Sequence, residues 1–300
     1  MYLYYILMSL KEELRSKKPN LSDLSLTAYA STLRNLYKKV FDNEAIKLSN
    51  FKETKKIIDF LKDKPANKRK SVLAALIAMT DADEYKELMK KDISEYNEFI
   101  NTQKKTKTQE ENWVEKKDID NAFEELEMKA KMLYRKGNPK MKDLQEIQNF
   151  IIISLSSGKF IPPRRLLDYT EFKIKNVDKK KDNYYDKGTL VFNRFKGSSE
   201  KEQQKIKAPR QLQAIINKWI SMNPTDYLLF DNNGNPLKNT QLNQRLNKIF
   251  DGKISVNALR HTFLTDKFGD TIEQQKKIET TMEKMGSSSK MLKNYVKEDD

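Results

Sequence analysis

The chain has 300 residues, 37% hydrophobic and 34% charged, enough for two folded domains with their own cores and too apolar for a disordered tail. It carries 58 Lys and Arg against 43 Asp and Glu, and a net charge near +15 favours an anionic partner, nucleic acid above all. The lack of cysteine excludes disulfides and thiolate chemistry, and one histidine, His261, is too little for a zinc centre, so neither metal nor cofactor is expected.

Met1 to Leu10 is apolar but lacks a basic leading region and is too short to span a membrane, so it reads as the start of a helix. Ser25 is placed to cap a helix through Leu26, Tyr29, Leu33, Leu36, Tyr37 and Val40, whose spacing makes one apolar stripe. Ser49 opens a second helix through Ile57, Ile58 and Leu61, which Pro65 interrupts. A third runs through Val72, Leu73, Leu76, Ile77 and Met79, and a fourth through Tyr85, Leu88, Met89, Ile93, Tyr96 and Phe99. Short helices with short connections predict a bundle over residues 1–100.

Residues 101–112 contain no apolar side chain and read as an interdomain linker whose lysines could follow a phosphate backbone. A second domain, 113–300, begins at Trp113, with Asp118 or Asp120 as cap of a helix through Phe123, Leu126 and Leu133. A further helix runs from Leu144 to Leu155. Leu190 to Phe195 has the β-branched and aromatic content of a strand, Lys196-Gly197-Ser198-Ser199 that of a turn with Gly197 at positive φ, and Gln203 to Pro209 that of a polar, edge-like return. Helices follow through Leu212 to Ile220 and through Leu242, Leu246 and Ile249, with a turn at Asp231 to Pro236 between them, and Ser255 caps the helix that carries Arg260. The predicted fold is mainly α with a small β-hairpin. Residues 159–210 hold 15 Lys or Arg and 7 Asp or Glu, so the excess charge concentrates around that hairpin.

Attack on a DNA phosphodiester requires charge on the non-bridging oxygens to be matched, and the planar fork of arginine does this with two parallel hydrogen bonds. A phenol is a weak nucleophile until a cationic environment helps it ionise. Four residues of types that could serve this chemistry are Arg165 and Lys196, 31 residues apart, and Arg260 and Tyr295, 35 apart. Arg165-Leu166-Leu167-Asp168 matches a pattern Arg-x-x-Glu/Asp, Leu259-Arg260-His261-Thr262 matches the extended part of a His/Lys-x-x-Arg box whose first position is Asn257 here, and Met285-Gly286-Ser287 precedes Tyr295 by eight residues.

In these motifs the chain resembles the tyrosine recombinase/integrase family, in particular its viral and mobile-element branch. The resemblance implies a helical core-binding domain followed by a catalytic domain, acting on double-stranded DNA without metal or cofactor. It implies Arg165 and Arg260 as phosphate clamps, Asp168 as acidic support for Arg165, Lys196 as general acid and Tyr295 as nucleophile of a 3′-phosphotyrosine intermediate. Asn257 and Ser287 stand where the family keeps histidines or tryptophan; they remain hydrogen-bond donors but cannot exchange a proton near neutral pH. Proton transfer would then fall to Lys196, water or the substrate. His261 is expected to face the core or to support the site, because it follows the clamp arginine on its helix.

Cleavage and rejoining for integration or recombination is the activity implied. A weakly catalytic accessory DNA-binding protein and a topoisomerase-like or telomere-resolving relative are the alternatives. A homotetramer on paired sites, monomeric in isolation, is the implied assembly, and the implied location is the cytoplasm, nucleoid or host compartment that holds the DNA. Only Val296 to Asp300 follow Tyr295, so an exchange between subunits would involve the helix bearing Tyr295 itself.

Overall fold

In the computed structural model, which describes residues 2–42, 45–196, 198, 202–252 and 254–297, the chain forms two units, Met1–Lys105 and Thr106–Asp300. The first is built from α1 (Tyr2–Lys17), α2 (Asp23–Val40), a 3-10 turn (Leu48–Lys52), α3 (Thr54–Leu61), α4 (Ala66–Thr80) and α5 (Asp83–Asn101). The α2 stripe packs Leu26, Leu33, Leu36 and Tyr37 into the core. Leu73, Ala75, Leu76, Ala78 and Met79 of α4 are buried too, because α4 touches α1, α2 and α5 and is covered on several sides.

Two of the expected helix starts move. Ser22, not Ser25, caps α2, its side chain accepting from the Ser25 N–H. The second helix begins at Thr54 rather than after Ser49, for a tertiary reason. The buried Tyr37 hydroxyl accepts from the Lys47 N–H (3.1 Å) and from Asn50 Nδ2 (3.0 Å), and Tyr85 donates to the Phe51 carbonyl (2.9 Å). Those bonds hold residues 47–51 in a tighter turn that brings Phe51 into the core.

Among the described residues of this unit, the ion pair of Arg69 and Asp92 lies out of solvent. Arg69 donates from Nε to Asp92 Oδ2 (3.0 Å) and from Nη1 to the carbonyls of Lys62 and Lys64, and Asp92 is 1% exposed. Asp92→Ala leaves the guanidinium without its countercharge, at a cost of about 3 kcal/mol, the lower end for breaking a buried pair. Hydrogen exchange should then show amide protection in α4 and α5 falling by about 10²-fold while the second unit is unchanged. Protection within threefold of wild type would refute that weight for the pair.

The second unit comprises α6 (Lys107–Glu111), α7 (Lys116–Leu133), α8 (Met141–Ser156), a 3-10 turn (Leu166–Asp168) and a sheet of β1 (Tyr184–Asp186), β2 (Thr189–Phe192) and β3 (Gln204–Lys207). It continues with α9 (Arg210–Met222), α10 (Asn239–Ile249), α11 (Val256–Lys284), a 3-10 turn (Ser289–Met291) and α12 (Leu292–Tyr295). Half of the polar stretch 101–112 is helical: α5 runs through Asn101, and Thr106 with Gln109 forms a capping box that starts α6. Glu115 occupies the cap position of α7 in place of Asp118 or Asp120, which lie inside the helix.

α8 is the centre of this unit, with Ile147, Ile151, Ile152, Ile153 and Leu155 buried. Its buried Gln148 accepts from the Phe230 N–H (2.7 Å), and Trp219 of α9 donates to the Leu228 carbonyl (2.7 Å) while stacking on Phe230. The apolar run Leu228 to Phe230 is thereby tied between α8 and α9.

The sheet has one more strand than the expected hairpin. Order β1-β2-β3 is antiparallel throughout, with Asp186 opposite Thr189 and Leu190 opposite Ile206. Lys187 (φ 45°) and Gly188 (φ 80°) make the two-residue turn between β1 and β2, a conformation that suits the twist of paired strands. β3 forms the edge, as its polar make-up implies, with Lys205 and Lys207 exposed. The expected positive φ at Gly197, and Ser199 in the same turn, lie outside the described residues. No helix among the described residues is long and apolar enough to cross a membrane.

Candidate functional site

Two prolines, Pro162 and Pro163, end the connection after α8 and deliver Arg164 and Arg165 to the 3-10 turn. Extended backbone at Arg165 (φ −65°, ψ 145°) starts that turn, and its side chain is exposed, with no hydrogen bond or ion pair among the described residues. Arg164, by contrast, is committed. Its guanidinium lies 3.9 Å from the Phe192 ring centroid, donates from Nη1 to Gln204 Oε1 (2.8 Å) and from Nε to Asp168 Oδ2 (2.7 Å).

Asp168 therefore supports Arg164, not Arg165 as expected from the motif. Four residues separate Arg164 from Asp168, and the aromatic face of Phe192 holds the guanidinium against the buried carboxylate, while Arg165 turns outward. Burial raises the Asp168 carboxyl above the ordinary aspartate range, and the charges of Arg164, Arg165 and Arg260 oppose that shift. The second carboxylate oxygen is buried and has no hydrogen-bond partner among the described residues.

Lys196 lies on the connection between β2 and β3, exposed, and no described residue pairs with it. The connection is held by a residue that the motifs did not single out. Asn183, 2% exposed, donates from Nδ2 to the carbonyls of Asp168 (2.9 Å) and Arg194 (2.7 Å), and its Oδ1 accepts from the N–H groups of Asn193 (2.8 Å) and Arg194 (2.7 Å). One amide thus joins the turn that carries Arg165 to the segment that carries Lys196. An isolated Asn ahead of a three-residue strand has no sequence signal for this role.

Arg260 comes from the first turns of α11. Ser255 caps the helix, and Val256, Leu259 and Thr262 face the core, with Thr262 donating to the Val114 carbonyl. That orientation leaves Arg260 half-buried at the surface, where Nη1 donates to Asn257 Oδ1 (3.3 Å). Asn257 so helps to orient Arg260 and keeps its own Nδ2 for another acceptor. The next turn seats Phe263 over Gly158 (φ 81°), where a Cβ would fall 2.3 Å from the Phe263 ring. Only glycine lets α11 approach the end of α8 this closely.

These elements bring Arg164, Arg165, Asp168, Lys196, Gln204 and Arg260 around one open cavity of about 400 Å³. Asp168 and Arg164 balance each other, so the cavity presents Arg165, Lys196 and Arg260 without a carboxylate partner among the described residues. Such a concave cluster of cations is suited to a phosphate group. Among the described residues no cluster of His, Cys, Asp and Glu has the make-up of a metal site.

The C-terminal site residues are not part of this cavity. α11 continues past Gly269 to Lys284, so about 36 Å of helix separates Arg260 from its end, at about 1.5 Å per residue. Met285-Gly286-Ser287 closes that helix: Gly286 takes φ 70° and the Ser287 N–H donates to the Met282 carbonyl (2.8 Å). Tyr295, last residue of α12, is 57% exposed. His261 does not face the core; it is exposed, with Nε2 3.5 Å from Gln109 Nε2, beside Trp113 in a separate cavity of about 180 Å³ that Asn257 also lines. The core-facing positions of this turn belong to Leu259 and Thr262, which puts His261 on the opposite side.

No protein-family model and no curated protein matches the chain. Among solved structures it is similar to a lambda integrase (75-356) dimer bound to a COC′ core site, at 12% identity over 91% of this chain and 93% of that one, with a TM-score of 0.47. It is also similar to XerA recombinase, at 12% identity over 87% of this chain and 83% of that one, with a TM-score of 0.36. Likeness at this level assigns neither a residue's role nor a reaction.

Proposed function

We infer that the protein cleaves and rejoins double-stranded DNA as a tyrosine recombinase, through a 3′-phosphotyrosine at Tyr295. The observation that carries this reading is the convergence of Arg165, Lys196 and Arg260 on one cavity, three residues that lie far apart in the chain and that the motifs name together. In this reading the two guanidinium groups hold the non-bridging oxygens of the scissile phosphate and stabilise the charge that develops there. The Tyr295 oxygen attacks phosphorus as its phenolic proton passes to water, the bond to the 5′-oxygen breaks, and Lys196 protonates that leaving oxygen and regains its proton from water. Asn257 and Ser287 contribute hydrogen bonds, and attack by the 5′-hydroxyl on the phosphotyrosine reverses the step. The biological setting proposed is integration or recombination of a mobile or viral element, wherever its DNA resides.

Tyr295 must reach the cavity from the far end of α11. Exchange of this segment between copies in a tetramer on paired sites supplies it, and Leu264, Phe268 and Ile272, exposed at four-residue spacing on α11, offer an apolar stripe for that contact. The position of Tyr295 outside the cavity also favours a second reading, an accessory protein that binds DNA without cutting it.

Incubation with a nicked duplex and a denaturing gel separate the two. A covalent adduct that Tyr295→Phe removes, and that returns on mixing Tyr295→Phe with Arg260→Ala, is expected for the exchanged recombinase. Binding without adduct at any salt or pH leaves the accessory protein.

A further inference from the structure

The chain's single histidine takes no part in the chemistry proposed above. His261 and Trp113 instead line a cavity of about 180 Å³ in the second unit that shares no residue with the cationic one. Their ring centroids lie 6.5 Å apart, with planes 32° from parallel. The pairing is built in, because the residues that follow the two rings are joined: the Thr262 hydroxyl donates to the Val114 carbonyl, and both residues are buried. That bond ties α11 to the segment ahead of α7 and sets where the two rings stand.

The chemistry of the walls selects the ligand. None of the residues lining the cavity is Asp, Glu, Lys or Arg, so it offers little to a phosphate or a metal ion. What it offers is two aromatic faces and an edge of side-chain amides. Gln109 Oε1 is taken by the Thr106 N–H (2.8 Å), which leaves Nε2 as a donor, 3.5 Å from His261 Nε2. Asn112 has the opposite bias: Nδ2 donates to the Thr108 carbonyl (2.8 Å), and Oδ1 has no donor among the described residues. Asn257 gives its Oδ1 to Arg260 and keeps Nδ2. A flat heterocycle with donors and acceptors on its rim meets these demands together. Unstacked nucleobases are held in this way, ring on aromatic ring with the edge hydrogen-bonded. The size agrees as well, since the cavity is smaller than sites for drug-sized ligands, which start at about 300 Å³. A ring between two others needs about 7 Å, two contacts of about 3.5 Å, and a turn of the exposed His261 side chain supplies the missing half ångström or about that.

We propose that this cavity is a nucleobase slot, in which Trp113 and His261 stack on one unpaired base and Gln109, Asn112 and Asn257 bond its edge. Two sources supply such a base, an extrahelical nucleotide of bound DNA or a free nucleoside. Position favours the first: Asn257 lines the slot and also bonds Arg260, so a base there sits beside a phosphate in the cationic cavity. In that source the inference rests on the DNA reading proposed above, whereas the slot itself does not.

The test uses the full chain with a duplex carrying one bulged adenosine, the same duplex with an abasic site in the bulge, and deoxyadenosine alone. The phosphodiester backbone is the same in both duplexes, so their difference isolates the base. Wild type is expected to bind the adenosine bulge about tenfold tighter than the abasic one, within the range for stacking one base on an aromatic side chain. Tryptophan emission should fall as it binds. Of the two tryptophans Trp219 is fully buried, so the quenching reports Trp113 and should vanish in Trp113→Phe. His261→Ala should abolish the preference without lowering the melting temperature, and His261→Phe, which keeps a flat ring, should restore it. Quenching by deoxyadenosine that His261→Ala weakens, with no preference between the bulges, also supports the slot and makes a free nucleoside its ligand. Equal binding of the two bulges with no response to deoxyadenosine overturns the proposal, as does a preference that His261→Ala leaves intact. Both of those results leave adduct formation at Tyr295 standing. If neither duplex is bound, the DNA reading fails and the deoxyadenosine arm alone decides the slot.

Discussion

Arg260→Ala is expected to cut the yield of the phosphotyrosine adduct by about 10²- to 10³-fold, the usual loss when one preorganised donor to a developing oxyanion is removed. Arg260 is held for that task by Asn257, which accepts from its Nη1, and by a helix whose core-facing residues fix its direction. Arg165→Ala should lose a similar factor, because the Arg165 guanidinium lines the same cavity and is bound to no described residue, which leaves it for the phosphate. Lysine at either position should restore only part of the activity, since a point charge does not reproduce the two parallel bonds of the fork. Arg164→Ala provides the contrast: it should lower stability through the loss of the Asp168 pair, and melting temperature should fall along with activity. Single-turnover adduct yield on a nicked duplex, read beside a thermal melt, distinguishes the two arginines. Equal adduct yields for wild type and Arg260→Ala would remove Arg260 from the chemistry.

Asn183→Ala should have the largest structural effect near the cavity. The side chain satisfies two backbone N–H groups, of Asn193 and Arg194, and two carbonyls, of Asp168 and Arg194, all from a position almost without solvent. Removing it strands those groups, and with the penalty for a buried unsatisfied polar group at about 1–3 kcal/mol the loss should reach about 3–5 kcal/mol. The consequence extends to function, because the same bonds join the Arg165 turn to the Lys196 segment. Urea unfolding should show the stability loss, and hydrogen exchange should show deprotection centred on residues 168 and 193–194. A stability loss under 1 kcal/mol would mean that water or neighbouring groups replace the amide.

How far sequence reached can be judged element by element. The helices through Leu26 to Val40, Val72 to Met79, Leu144 to Leu155 and Leu242 to Ile249 were legible because an apolar stripe at three- and four-residue spacing is a local property of the chain. Ser255 as the cap of the Arg260 helix was legible for the same reason. β1 was not, since a three-residue strand has too little pattern; its Lys187-Gly188 turn was the available signal. The starts of α2 and α3 were misread where caps and buried hydroxyls, rather than periodicity, select the first residue.

The sequence by itself determined the charge, the apolar faces and the order of Arg165, Lys196, Arg260 and Tyr295 along the chain. Only the tertiary structure decided that the first three share a cavity, that Asp168 pairs with Arg164, and that Asn183 couples the two segments. It also decided that α11 runs unbroken through Gly269, which sets Tyr295 apart from that cavity. The physical reason is range: periodicity and capping act over a few neighbouring residues, whereas these pairings depend on which buried polar group finds a partner when distant segments pack.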